Sequence, residues 1–230
     1  MDKRKSYFIG VDTETANGFT DEGGKADLSQ SLVYDIGWSV IDRNGNIYLS
    51  RSYIVDEIFF DTILMDSAYY AEKIPQYLED IADGKRKIST FKNIFFQFYK
   101  DCKEYNCKAI FAHNARFDLN ALNNTLRYIT GSKNRYFFPY GIEIWDTLKM
   151  SRDIFGAKPS YDRFCKENNY LTKHKVPQNR FTAEILYRFI SGDNDFIESH
   201  TGLEDVEIEI KIFAYCLRQK KKMRKKLFEN

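Results

Sequence analysis

The sequence predicts an α/β domain built on a mixed five-stranded sheet with helices on both faces. Two observations predict it. Three β-rich stretches come first, with a turn signal between the second and third, and short apolar strands then alternate with amphipathic helical stretches. Antiparallel strands followed by such alternation imply a mixed sheet covered on both sides, in the order β-β-β-α-β-α-β followed by helices. At 230 residues the chain is expected to hold one core, and 1–230 reads as a single domain.

The first strand is "YFIGVD" (7–12), apolar until it reaches Asp12. "VYDIGWSVID" (33–42) and "NIYLSRSYIV" (46–55) follow, and "RNG" between them marks a tight turn, so they form a hairpin laid against the first strand. Residues 17–31, "NGFTDEGGKADLSQS", are polar and glycine-bearing, which suits a mobile loop insertion. The stretch 56–88 reads as a helical excursion ending near "DGKRK". In "STFKNIFFQFYKDCKEY" (89–105), Phe91, Ile94, Phe95, Phe98 and Cys102 fall at helical spacing, and Thr90 supplies an N-cap. "KAIFAH" (108–113) is a short buried strand, "FDLNALNNTLRYIT" (117–130) a helix, and "IEIWDT" (142–147) the fifth strand. An extra helical segment is expected within 173–199, before a long C-terminal helix.

Composition narrows the setting. No apolar stretch approaches the roughly 20 residues of a membrane span, and the apolar run after the basic opening is too short for a secretory signal. Four cysteines at irregular spacings suit a reducing cytosol, so a cytoplasmic protein is expected; Cys102, Cys107 and His113 fit no usual zinc pattern. The net charge of +2 gives no strong global field, so any attraction for nucleic acid must come from local clusters. The tail "RQKKKMRKK" (218–226) is either a solvated helix end or a phosphate-tracking surface, and "RYFFPYG" (135–141) either core or a base-stacking platform.

The chemistry is carried by carboxylates. In "GVDTETANG" (10–18), Asp12 and Glu14 stand two positions apart on a strand, so both point to one face, roughly 7 Å apart along the chain. Asp118 opens the helix after "AIFAH", and Asp205 in "SHTGLEDVEIEIKIF" lies near the start of the last helix. Ligands gather at such element ends in α/β sheets. Four carboxylates brought together repel unless cations offset them, and hard oxygen donors select Mg²⁺ or Mn²⁺ over zinc. Taken alone, Asp12 and Glu14 could equally be a solvated strand end. Glu204, Glu207 and Glu209 are expected to be mostly solvated, and Asp146 to cap the helix after "WDT", with an outer-carboxylate role as the alternative.

"DTET" with Asp12 and Glu14, "HNARFDLNAL" with Asp118, and "HTGLEDV" with His200 five residues before Asp205 resemble the three motifs of the DEDDh, or DnaQ-like, 3′-to-5′ exonucleases of the ribonuclease-H-like superfamily. The likeness runs through most of the chain, since "VYDIGWSVIDRNGNI" and "WDTLKMSR" also match in place. It departs where many members have Thr-Gly after "DTET" and this chain has Ala16 and Asn17.

The resemblance implies a two-metal hydrolysis of phosphodiesters. Asp12 would bridge two Mg²⁺ or Mn²⁺ ions, Glu14 and Asp205 would complete the site that holds the water, Asp118 would support the second ion, and His200 would be the general base. Thr13, Thr15, His113 and Asn114 are the candidate substrate contacts, with a backbone-bonded position beneath the site as the alternative for His113. The expected substrate is nucleic acid with a free 3′ end, single-stranded DNA first and RNA second. A proofreading subunit that works with a DNA polymerase, or with another replication or repair protein, is a further reading.

Overall fold

The computed structural model describes residues 2, 4–17, 28–68 and 70–229; most of the expected 17–31 loop lies outside them. Six strands form one sheet: β1 (Tyr7–Ala16), β2 (Leu32–Asp42), β3 (Ile47–Val55), β4 (Lys87–Ser89), β5 (Ala109–Ala112) and β6 (Glu143–Asp146). Their spatial order is β4-β3-β2-β1-β5-β6. β2 runs antiparallel to both β1 and β3, whereas β5 runs parallel to β1, β6 to β5 and β4 to β3.

The expected five strands are thus six. The addition is β4, three residues at the end of the 56–88 stretch, where Tyr53–Val55 pair with Lys87–Ser89. Its residues are half-buried or exposed at a sheet edge, so it lacks the apolar alternation that marks a strand in sequence. The rest of that stretch is helical in pieces: α1 (Asp56–Phe59), α2 (Thr62–Met65) and α3 (Ile74–Ala82).

The other helices are α4 (Phe91–Glu104), α5 (Arg116–Thr130), α6 (Thr147–Phe155), α7 (Pro159–Glu167), α8 (Ala183–Ser191) and α9 (Gly202–Arg218). Thr90 caps α4 by accepting from the Asn93 amide. Within 173–199 only α8 is helical. The part before it carries charges and Pro177 instead of apolar periodicity, and a bridge between Leu171 and Asn179 organises it.

Strand alternation sorts the core into two clusters. Tyr7, Ile9 and Val11 of β1 face one cluster, shared with α4 and α5, while Phe8 faces the other, shared with α6 to α9. Asp12 and Glu14 continue the parity of Phe8, so they emerge on the α9 side. β2 is buried along all eleven residues, as a central strand covered on both faces must be. Phe137 and Phe138 are core residues.

The tail turns back along the outer edge of β6. Leu227 donates to the Ile144 carbonyl and Asp146 to the Lys225 carbonyl, while Arg224 pairs with Asp153 and Lys226 with Glu143. These contacts cover an open strand edge. No helix among the described residues is long and apolar enough to cross a membrane.

Candidate active site

Asp12, Glu14 and Asp205 each place a carboxylate oxygen within 4.8 Å of the others, the one such cluster of metal-capable side chains among the described residues. β1 supplies the first two from one face. α9 supplies the third, because its N-terminus is pressed against β2. A Cβ on Gly37 would lie 2.3 Å from the Leu203 nitrogen, and one on Gly202 would lie 2.8 Å from the Gly37 nitrogen. Only glycines allow that approach.

Asp118, in the first turn of α5, is held from the other face of β1: the Thr13 hydroxyl donates to it at 2.9 Å. It lines an inner cavity of about 350 Å³ together with Asp12, Glu14, Thr15, Asn114 and His200. Asn17, where the chain departs from the common motif, is buried and lines the same cavity. His200 has φ +53 and stacks on Tyr70 with ring centroids 4.2 Å apart, just ahead of α9. Four of the five expected catalytic residues therefore border one cavity, and the fifth, Asp205, brings a carboxylate oxygen within 4.8 Å of those of Asp12 and Glu14.

The substrate candidates divide. Asn114, at φ +65, is exposed at the cavity rim, and its amide is fixed by the Asp146 carboxylate at 3.2 Å. Asp146 also accepts from the Leu148 amide and so caps α6. His113 lines the cavity, but its Nδ1 meets the Thr147 hydroxyl at 3.0 Å and its Nε2 donates to the Phe181 carbonyl at 2.7 Å. Both ring nitrogens are occupied by protein, which matches the backbone-bonded alternative and leaves neither for a substrate. Thr13 is turned to Asp118, and Thr15 is buried at the wall.

Two carboxylates were not singled out. Glu209 was expected in solvent but is 2% exposed: its Oε1 accepts from the His113 amide at 2.9 Å, and its Oε2 has no partner. It stands one helical turn after Asp205, so i+4 spacing on α9 was the signal that could have found it. Glu204 and Glu207 are exposed as expected, and Glu204 pairs with Arg86. Glu198 lines the same cavity, and no spacing in the sequence marks it.

Burial first, and mutual repulsion second, push the Asp12, Glu14 and Glu209 carboxyls well above the usual range. Burial raises Asp118 and Asp205 as well, the latter also through Glu198, and Glu198 itself rises to about 7. Among the described residues no lysine or arginine pairs with Asp12, Glu14, Asp118 or Asp205. Buried carboxylates without counter-ions, all offering hard oxygen donors and flanked by the orphaned Glu209 Oε2, fit Mg²⁺ or Mn²⁺.

No protein-family profile and no curated protein matches this sequence. Solved structures do. E. coli exonuclease I in complex with a dA16 oligonucleotide is 14% identical with a TM-score of 0.53, over 95% of this chain and 41% of that one. Cell-death related nuclease 4 is 12% identical with a TM-score of 0.54, over 96% of this chain and 67% of that one. S. pombe Pop2p, in a form with Mg²⁺ and Mn²⁺ bound, is 13% identical with a TM-score of 0.50, over 93% of this chain and 83% of that one.

The chain shares the fold of these solved structures. At these identities the likeness concerns the fold, and this chain spans less than half the length of exonuclease I. In the sheet of this chain, Asp12 and Glu14 lie toward the C-terminal end of β1, and Asp118 follows the neighbouring parallel strand β5. Ligands sit outside the carboxyl ends of strands in such sheets, which is where the inner cavity opens.

Proposed function

We propose that the protein is a metal-dependent 3′-to-5′ exonuclease of the DEDDh type, acting on single-stranded DNA. The observation that carries this reading is the convergence of Asp12, Glu14 and Asp205 within 4.8 Å beside a cavity that His200 also lines.

Asp12, Glu14, Asp118 and Asp205 would hold two divalent ions. Bound there, such ions neutralise charge on the scissile phosphate and lower the pKa of the attacking water. Asp12 clusters with Glu14 and Asp205 and lines the inner cavity with Asp118, so it would be the ligand common to both ions. His200 accepts the proton of that water at a ring nitrogen. Burial holds its pKa below the usual 6.5, so the imidazole is neutral and able to accept at cellular pH. The Tyr70 ring fixes its plane. Asn114, its amide pinned by Asp146, contacts the terminal nucleotide. The preference for DNA draws on the oligonucleotide bound to the exonuclease I neighbour.

Digestion of 3′- and 5′-labelled single strands of both sugars, with Mg²⁺, with Mn²⁺ and with chelator, tests the reading. Stepwise shortening of 5′-labelled DNA in the presence of metal is expected. A preference for RNA would move the substrate assignment, and chelator-insensitive or absent cleavage would remove the enzyme.

A further inference from the structure

Beside the inner cavity opens a larger one of about 980 Å³, and Asp12, His113, Asn114 and Glu198 line both. Its inner wall is acidic, with Asp12, Glu198 and Glu209. Its outer wall comes from α6 and from residues 172–183, and there the charge reverses: Arg152, His174 and Arg180 line it. Both guanidinium-bearing side chains are exposed, and among the described residues neither forms an ion pair.

The outer wall is built as a fixed feature. The Thr172 amide donates to the Gln178 carbonyl at 2.8 Å, and the Gln178 amide returns a bond to the Thr172 hydroxyl at 3.0 Å. The Arg180 amide donates to the Tyr170 carbonyl at 3.0 Å, and Asn179 donates to Asp162 of α7 at 3.2 Å. The ring of His113, at the end of β5, then ties the Phe181 carbonyl to the edge of the carboxylate cluster. A segment held at both ends in this way presents Arg180 at a set place relative to Asp12, so little ordering entropy is lost on binding.

We propose that Arg152 and Arg180 bind the backbone phosphates of a nucleic-acid strand upstream of its terminal nucleotide, so that the strand reaches the carboxylate cluster along the 172–183 segment. The inference rests on the exonuclease reading above and assigns a role to the segment between α7 and α8. The chemistry is that of planar, permanently charged guanidinium groups, which pair with phosphate oxygens in a bidentate fork. The sign change across the cavity fits two neighbouring phosphates: one beside the carboxylates, where cations would be needed, and the next beside the arginines, where they would not.

The test compares wild type, R152Q/R180Q and the charge-preserving R152K/R180K. Binding of a fluorescein-labelled single-stranded DNA 12-mer is read by anisotropy in Ca²⁺ across a salt series, and hydrolysis of p-nitrophenyl thymidine 5′-monophosphate, which has no upstream phosphate, is read in Mg²⁺. Kd for the 12-mer is expected to rise at least tenfold in R152Q/R180Q, with a smaller rise in R152K/R180K. The slope of log Kd against log salt is expected to fall by about 1.4, the value for two phosphate contacts on a single strand. Hydrolysis of the 12-mer relative to that of the nitrophenyl ester is expected to fall at least tenfold. An unchanged Kd and salt slope in R152Q/R180Q, or no binding of the 12-mer by wild type, would overturn the proposal. Loss of binding in R152Q/R180Q alongside a wild type that hydrolyses neither substrate would support the phosphate track and sink the exonuclease reading instead.

Discussion

The backbone amide of Gly202 donates a 3.0 Å hydrogen bond to the buried carboxylate of Asp35. Asp35 lies in β2 directly opposite Glu14, so the first turn of α9 is pinned beside the strand that carries two of the acidic residues. The same carboxylate accepts from the Tyr77 hydroxyl at 2.8 Å and from Arg86 at 3.2 Å, and Arg86 reaches on to Glu204 in the first turn of α9. A buried network thus sets where Asp205 arrives.

Replacing Asp35 by Ala removes the acceptor and leaves the Arg86 guanidinium, 3% exposed at its side chain, without its buried partner. A loss of about 1–3 kcal/mol in urea-unfolding free energy is expected, because the Tyr77 hydroxyl and the Gly202 amide lose their buried acceptor while Arg86 keeps Asp80 and Glu204. A change under 1 kcal/mol would show that the network does not hold α9.

Gly37→Ala tests the close approach itself. The added methyl would meet backbone atoms of Gly202 and Leu203, at 2.5 and 2.3 Å, so helix and sheet must separate. Destabilisation of about 1–3 kcal/mol is expected from such overpacking. Divalent-ion affinity, read by calorimetry, should fall with it because Asp205 moves away from Asp12. Affinity equal to wild type would separate the glycine contact from the site.

Most strands and the helices α4, α5 and α9 were legible because their apolar residues repeat at clean periods of two or 3.6. β4 was not, because three edge residues owe their conformation to backbone pairing with β3 and bury little. The segment 172–182 was illegible for a related reason: hydrogen bonds to Tyr170, Asp162 and His113 shape it, and none leaves a periodic trace. Asp12, Glu14, Asp118, His200 and Asp205 were found as motifs, whereas Asp35, Glu198 and Glu209 were missed. Asp35 did carry a signal, a lone charge inside an apolar strand, and Glu209 carried its i+4 spacing from Asp205.

The raised carboxyl values fix a pH dependence of stability. A group whose folded pKa lies above its unfolded value stabilises fully below about pH 4, the ordinary carboxylate range, and that contribution is lost as pH rises through the folded value. For Asp118 that value is about 7 and for Glu14 about 9, burial being the first cause of both. In chelator, Tm is therefore expected to fall between pH 5 and pH 9. Added Mg²⁺ should raise Tm more at pH 9 than at pH 5, since binding must displace protons. A Tm in chelator that climbs over this range would contradict the charge states assigned here.

His200→Ala separates the base from the ions. The rate on single-stranded DNA is expected to fall about 10²- to 10⁴-fold, as for loss of a general base, with Mn²⁺ affinity within a few-fold of wild type. In wild type the acidic limb of the rate profile should lie below pH 6.5, because burial lowers the imidazole pKa. An unaltered rate at neutral pH would take His200 out of the mechanism.

Titration with Mn²⁺ followed by electron paramagnetic resonance, on wild type, Asp12→Asn and Asp205→Asn at pH 8, measures the ion site without reference to turnover. Saturable binding by wild type, weakened at least tenfold in each variant, is the predicted result. Equal binding by all three proteins, or none by wild type, would mean that the carboxylates gathered from β1 and α9 do not form a divalent-ion site.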